Sequence, residues 1–344
     1  MYPGSGFEEA LVMKRYKRIL AALTTAALTA GMCACGSQST AAVSTETNSS
    51  KKILVTLADA QSGTRGDFEK AVRAAGKKAG FSVTVQQTAG VLNTQIKQLQ
   101  NAKQHKFGGI ICWADDPSAA KQLEIAADGL PIVFVNSLPE EDDLASGSFV
   151  YVGSDDTTAG QDQAEYVYNK LGKPDKINLL MMKGKKDADS TSTRTNAARN
   201  YLTDKGCDVN IVFSDFANDD QETAHTMMQS FATTGQTFDA AICNDDAMAL
   251  GVVQYMQENG MSTSNIPVCG IDGTSDALTS IKSGGMSYTE LQQTDKVAQA
   301  CIDAISAIKS GGTINDIKGA TDDGRYIWIP YEKVTADNLS KFQK

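Results

Sequence analysis

Two short polar tips hold the densest chemistry in the chain: Asn244-Asp245-Asp246 and Asp272-Gly273-Thr274-Ser275. Each stands between an apolar run and a helix-like segment. Their side chains are hydrogen-bonding groups, not nucleophiles: Asp272 can accept twice, and Asn244 can both accept and donate. That suits a solute with vicinal hydroxyls, each a donor and an acceptor. Catalysis has little to work with. The only histidines are His105 and His225, both in helical patterns. No nucleophile elbow, phosphate-cradling glycine loop or metal-spaced cluster is present, so neither an enzyme nor a cofactor nor a metal is expected. A plainer reading stays open, because Asn and Asp also favour helix N-caps. Asp245 and Asp246 are expected to face solvent or to neutralise the start of the helix.

The elements behind these tips are legible. Phe238 to Cys243 and Ile266 to Ile271 are short apolar runs, and Ala247 to Met256 follows the first as a helix. Runs of this kind alternating with helices predict parallel strands covered on both faces. In such sheets ligands sit beyond the carboxyl ends of the strands, so Asn244 and Asp272 become neighbours at one crevice. The same grammar runs along the chain. Strands are predicted at Ile53 to Leu57, Ser82 to Val85, Gly109 to Trp113, Pro131 to Val135 and Phe149 to Val152, with helices between them. A polar loop spans Ala58 to Gly66. From Asp155 the pattern starts again, with strands at Ile177 to Met182 and Val209 to Phe213 and a helix from about Arg194 to Asp204. The expected fold is α/β, with two similar lobes, each a parallel sheet flanked by helices, joined by three crossover segments. The first lobe takes 51–154 and 293–322, and the second 155–292 and 323–344. The crossings fall near Ser154, Gln292 and Asp322.

The net charge is -9, and the first 34 residues, with four basic and two acidic side chains, leave the remainder at -11. An acidic body without basic clusters excludes nucleic acid as a partner. Lys14, Arg15, Lys17 and Arg18 followed by the small and apolar run Ile19 to Met32 form a secretory signal, with translation starting at Met13. The run is too short to span a bilayer, which takes about 20 apolar residues. Residues 1–34 are read as the signal and 35–50 as a lipidated cysteine with a polar tether. Five cysteines remain in the body, at 112, 207, 243, 269 and 301. Their surroundings favour buried thiols over disulfides.

The order of elements and their tips resembles the type I periplasmic binding proteins of sugar ABC transporters, the ribose- and galactose-binding family. The resemblance covers about Lys52 to Pro330. It rests on Asn244-Asp245-Asp246-Ala247-Met248-Ala249-Leu250-Gly251 and on Gly270-Ile271-Asp272-Gly273-Thr274 at their mutual spacing. Met32-Cys33-Ala34-Cys35 resembles a lipoprotein signal, with Cys35, after small Ala34, the better lipidation site and Cys33 the alternative. The resemblance implies ligand contacts from both lobes. In the first they fall on Ser62, Thr64, Arg65, Asn136 and Ser137. In the second they fall on Arg194, Asn244, Asp272 and the crossover residue Gln292. A stacking aromatic is expected after Phe213, where Phe216 matches by chemistry and Asp219 by spacing. Trp113, at the cleft end of its strand, either stacks on ligand or packs.

The paired aromatics that sandwich a sugar ring in familiar members are missing, and Thr64 and Arg65 stand in their places. Arg65 and the Lys183 to Lys186 loop leave room for an anionic solute such as a sugar acid. The function implied is an extracytoplasmic, lipid-anchored, monomeric solute-binding protein. It would capture a sugar, polyol or sugar acid by hinge closure and deliver it to ABC permease subunits, with the acidic loop Glu140 to Asp143 facing the permease. A sensor presenting the same ligand to a chemoreceptor or kinase is the alternative. A lactose-repressor-type role is excluded, because a signal and tether stand where the DNA-binding helices would be.

Overall fold

Branched apolar runs of four to six residues become central strands because a sheet with helices on both faces buries every side chain. Ile53 to Leu57, Gly109–Cys112 and Ile132–Val135 are buried at each position. The computed structural model of the chain describes residues 50–60, 63–186 and 188–342. The expected signal, Cys33, Cys35, Ser62 and the tether before residue 50 lie outside them.

The first sheet contains β1 (Lys52–Leu57), β2 (Ser82–Gln87), β3 (Gly109–Cys112), β4 (Ile132–Val135), β5 (Phe149–Gly153) and β11 (Tyr326–Trp328). Their order is β11-β5-β4-β3-β1-β2, and all pairs are parallel. The second holds β6 (Lys176–Lys183), β7 (Asp208–Phe216), β8 (Ala240–Cys243), β9 (Val268–Asp272), β10 (Tyr288–Leu291) and β12 (Glu332–Val334). Its order, β12-β10-β9-β8-β6-β7, repeats the first strand for strand, with β12 alone antiparallel. The edge strand β12 is three residues long with two charged side chains, which is why no strand pattern announced it.

Helices cover both faces of each sheet. In the first lobe α1 (Gly63–Lys78) packs with α9 (Thr294–Lys309) on one face, and α2 (Leu92–Ala102) with α3 (Ala120–Ala126) on the other. The second pairs α4 (Asp156–Lys170) with α5 (Asp189–Asp204) on one face. On its other face lie α6 (Gln221–Ala232), α7 (Asp246–Glu258) and α8 (Ser275–Lys282). Cys112, Cys207, Cys243, Cys269 and Cys301 are all free and buried in these cores.

Three segments run between the lobes: 154–155 after β5, Gln292-Gln293 after β10, and 329–331 after β11. The third lies downstream of the position expected near Asp322. Ile327 is buried in the first lobe's core beside Val150 and Val152, and Ile329 N–H donates to Gly153 O at 2.8 Å. Both faces of β11 therefore belong to the first lobe, and the chain crosses only after it. All three crossings leave from carboxyl ends of strands, so both sheets turn those ends toward the gap between the lobes.

Two helix starts also differ from expectation. Thr64 and Arg65 lie in the first turn of α1, not in a loop running to Gly66. Likewise α5 begins at Asp189, which puts Arg194 in its second turn. Its first residues, Asp-Ser-Thr-Ser-Thr, have no apolar period to reveal a helix; buried Thr191 supplies the inward face instead.

Candidate functional site

In each sheet the strand order reverses at one place, between β1 and β3 and between β6 and β8. Crevices form at such switch points because successive helices leave on opposite faces. The second lobe's crevice is held by Asn244, which is 3% exposed at the tip of β8. Its Oδ1 accepts from Gly184 N–H, beyond β6, at 3.0 Å and lies 3.2 Å from Thr195 Oγ1. Its backbone oxygen accepts from Arg194 Nη1 at 2.7 Å. Asn244 thus uses its polar atoms to fasten the loop at Gly184 and helix α5, a structural duty that the N-cap reading did not foresee.

Capping falls to the next residue. Asp245 Oδ1 accepts from Met248 N–H at 2.8 Å, closing the first turn of α7. Asp246 accepts from Thr289 Oγ1 at 2.6 Å and from Thr274 N–H at 2.7 Å, tying α7 to β10 and to the start of α8. Of the two readings open for this pair, serving the start of the helix is the one the structure shows; facing solvent is not, since they are 7% and 0% exposed. Burial, with the Asp272 charge second, pushes the Asp245 carboxyl up to about 8. Burial raises Asp246 to about 7 against the hydrogen bonds it receives.

Asp272 ends β9 at φ 119°, a region that few non-glycine residues enter and that costs on the order of 1–3 kcal/mol. Gly273, at φ 70°, lets the chain pass against Leu291, where a Cβ would lie 2.4 Å from its Cδ1. The Asp272 carboxylate has no hydrogen bond or ion pair among the described residues. Burial raises its pKa, and Arg194 opposes the shift.

Arg194 is 12% exposed at its side chain and already committed: Nε donates to Asp156 Oδ1 at 2.8 Å and Nη2 to Tyr331 Oη at 3.1 Å. With the Asn244 bond, three of its five N–H groups are used, and each terminal nitrogen keeps one. Asp219, at φ 61°, approaches Gly184 so closely that a Cβ there would lie 2.4 Å from its Oδ1. It joins this wall, with Lys185 3.6 Å away. A register shift between β6 and β7 sets Phe216 opposite Lys183, whose Nζ lies 3.9 Å from the ring centre and covers one face of it.

The first lobe's wall is built around Trp113, only 8% exposed, edge-on to Phe68 and roofed by the Arg65 guanidinium 5.3 Å from its ring. Of the two readings open for this residue, packing is the one its position supports. Arg65 also faces Asp59 at 3.6 Å, yet its Nε is buried with no partner among the described residues, as is Asp115 Oδ2 next along the wall. Gln95 fixes this stretch, donating to Trp113 O at 2.9 Å and accepting from Asp115 N–H at 3.0 Å. Asn136 sits at φ 63° after β4, and Ser137 beside it donates its N–H to Val135 O at 2.7 Å in a tight turn. Thr64 flanks Arg65 at the start of α1. Across the gap, Gln292 Nε2 donates to Asn136 Oδ1 at 2.7 Å, so two expected site residues from different lobes meet directly.

Sequence reasoning missed Asp156, Tyr331, Thr195 and Asp115. Asp156 and Tyr331 lie beside crossing segments, and nothing in their local pattern marks them. Among the described residues no group of His, Cys, Asp and Glu could hold a metal, and no helix is long and apolar enough to cross a membrane.

Two repeated parallel-sheet lobes joined by three segments, with polar strand tips facing one gap, define a two-lobed binding protein. The Periplasmic binding protein domain family matches residues 53–313, and the chain belongs to that family. Its curated relatives include a protein of Rhizobium meliloti named for rhizopine binding, 28% identical over 267 residues, covering 77% of this chain and 83% of that protein. The ribose import binding protein of Bacillus subtilis is 25% identical over 246 residues, covering 71% and 77%. These relatives are binding proteins, not enzymes, and the family works outside the cytoplasm. Among solved structures, an ABC transporter solute-binding protein of Bacillus halodurans with bound myo-inositol superposes with a TM-score of 0.74 at 21% identity, covering 86% of this chain and 98% of that one.

Proposed function

We propose that the chain captures a hydroxyl-rich solute, a sugar or polyol, between its lobes by hinge closure and delivers it to an ABC importer from a lipid anchor at Cys35. The observation that carries this reading is the placement of Asp272 within the electrostatic reach of Arg194. An unpartnered carboxylate and two unused guanidinium N–H groups share one wall, and both complement a hydroxyl pair. Asn136, Ser137, Thr64 and Arg65 supply the facing wall, Gln292 the hinge side, and Asp219 the floor near Gly184. Ser62 remains part of the proposed set through its place beside Gly63. The names of the relatives support the solute class: rhizopine, ribose and xylitol among curated proteins, and myo-inositol and D-allose in solved structures.

The charge pattern argues against the anionic solute that Arg65 and the lysine loop first suggested. Arg65 lies against Asp59 and Trp113, Lys183 lies on Phe216, and Lys185 faces Asp219. Asp245, Asp246 and Asp272 meanwhile press together on one wall, with carboxyls raised by burial. An added anion would be opposed by whatever charge these carboxyls carry, and Arg65, Lys183 and Lys185 already face partners, so a neutral solute is the better fit. A thermal-shift screen of pentoses, hexoses, inositols and sugar acids tests this. A ligand present at 100 times its Kd stabilises by about 2.7 kcal/mol, a shift of several degrees. A shift only with sugar acids would reverse the charge reading, and none with any sugar or polyol would sink the proposed function.

A further inference from the structure

Arg194 is bonded to more than its own crevice. Its Nε and the Tyr331 hydroxyl both donate to Asp156 Oδ1, at 2.8 and 3.0 Å, and its Nη2 donates back to Tyr331 Oη at 3.1 Å. The three side chains form a closed ring in which the single hydroxyl proton of Tyr331 goes to the carboxylate and its oxygen accepts from the arginine. Asp156 is the first residue of α4, directly after crossing segment 154–155. Tyr331 is the last residue of crossing segment 329–331, one before β12. Through Nη1 the same guanidinium reaches the backbone oxygen of Asn244, at the joint beside Asp272.

The remaining crossing joins this arrangement. Gln293 Nε2 donates to Pro330 O at 2.6 Å, and Ile329 N–H donates to Gly153 O at 2.8 Å. The third segment is thus bonded to Gln293 of the second and to Gly153 and Asp156, which flank the first, and one arginine in the proposed solute wall connects Asp156 and Tyr331 to the Asn244 tip.

We propose that Asp156 and Tyr331 are positioning residues that act through Arg194, clamping the first and third crossing segments to the solute-facing wall so that filling the gap and rotating the hinge are one coupled event. The inference rests on the proposed function for its ligand side, while the clamp itself stands on the geometry. An arginine held by Asp156 alone could swing about its long side chain. The Tyr331 hydroxyl and the Asn244 oxygen fix the plane of the fork, and that plane sets where its two unused N–H groups point. A long side chain fixed in advance loses less entropy when it binds. Rotation of Tyr331 away from the second lobe would release the arginine, which gives the hinge a direct effect on the wall.

The test uses the full chain as wild type, Arg194→Lys, Tyr331→Phe and the double variant. Two measurements are made: amide hydrogen exchange at Ile329, Tyr331 and 154–156 without added solute, and calorimetric titration with myo-inositol and with D-ribose. Each single variant is expected to speed exchange at these segments about three- to tenfold, with the double no faster than the faster single. Affinity for whichever sugar binds wild type is expected to fall about five- to twentyfold in Tyr331→Phe, which removes the hydroxyl's bonds to both Asp156 and Arg194, with no further loss when that change is added to Arg194→Lys. Residues that only supported the fold would lower the midpoints of all three variants and add independently; the non-additive pattern separates the two roles. Additive effects, or unchanged exchange at 329–331 in Arg194→Lys, would overturn the clamp. If wild type binds neither sugar, the exchange measurement still decides the clamp, and the titration counts against the proposed function alone.

Discussion

Asn244 and Asp272 look alike as strand-tip residues, but they do different work, and substitutions should separate them. Asn244 is buried with its amide spent on Gly184 and Thr195. Replacement by Ala strands the Gly184 N–H, so Asn244→Ala is expected to cost about 1–3 kcal/mol of stability, visible as a lower midpoint before any solute is added. The Asp272 side chain bonds to none of the described residues, so Asp272→Ala is expected to leave the midpoint unchanged or higher. Its affinity for the solute found in the screen should fall about ten- to a hundredfold, the worth of a hydrogen bond to a charged group. Equal loss of stability in both variants would refute this division. The buried carboxyls add a pH signature. Asp245, Asp246 and Glu290 are raised by burial from ordinary carboxyl values to about 8, 7 and 8. Each therefore holds its proton more tightly folded than unfolded, and stability falls as pH rises from about 4 through 8. Thermal midpoints should be lower at pH 8.5 than at pH 6. Asp245→Asn, which keeps the helix cap, should flatten the slope.

Among the elements, the pair α4 and α5 decides where Arg194 sits. They approach closely because Gly160 on α4 faces the Arg194 backbone, where a Cβ would lie 2.3 Å from the carbonyl oxygen. That is too near for any side chain without moving one helix. Gly160→Val is expected to push α5 outward, cost about 1–3 kcal/mol by overpacking, and weaken solute binding by shifting the guanidinium away from Asp156. Circular dichroism melts and titration would report the two effects together. Retained affinity at reduced stability would mean that the helix separation does not set the fork. The loop ahead of α5 is tuned in the same way, since Gly184 leaves room for Asp219 and Thr191.

The whole molecule is two copies of one strand order joined at three places, and its expected motion follows from where those joints lie. Segments 154–155, Gln292-Gln293 and 329–331 are short, and the third is bonded to Gln293 and to Gly153, the residue ahead of the first. Rotation of the lobes as rigid bodies about them is the least costly change the fold offers. The radius of gyration from solution scattering is expected to fall when the bound solute saturates the protein, and to fall less for Gln292→Ala, which loses the contact to Asn136 at 2.7 Å. Identical scattering with and without solute would remove hinge closure from the mechanism.

Much of this architecture was legible in the residues. Buried strands must be apolar throughout, so Ile53 to Leu57, Ile132–Val135 and the runs before Asn244 and Asp272 declared themselves. Polar tips at strand ends then marked the crevice. Boundaries failed where no period existed: α5 starts in a run of Asp, Ser and Thr, and β12 is a charged edge. Membership of β11 was undecidable locally, because an apolar strand can complete either sheet, and only the packing of Ile327 on Val150 and Val152 assigned it. The site divides in the same way. The sequence by itself determined which residue types gather at the tips, because strand ends and turn chemistry are local. The tertiary structure alone decided which polar atoms are consumed inside the protein and which remain for a solute. Hydrogen bonds such as Arg194 to Asp156 and Tyr331 join residues 38 and 137 positions apart, a distance over which local pattern carries no information.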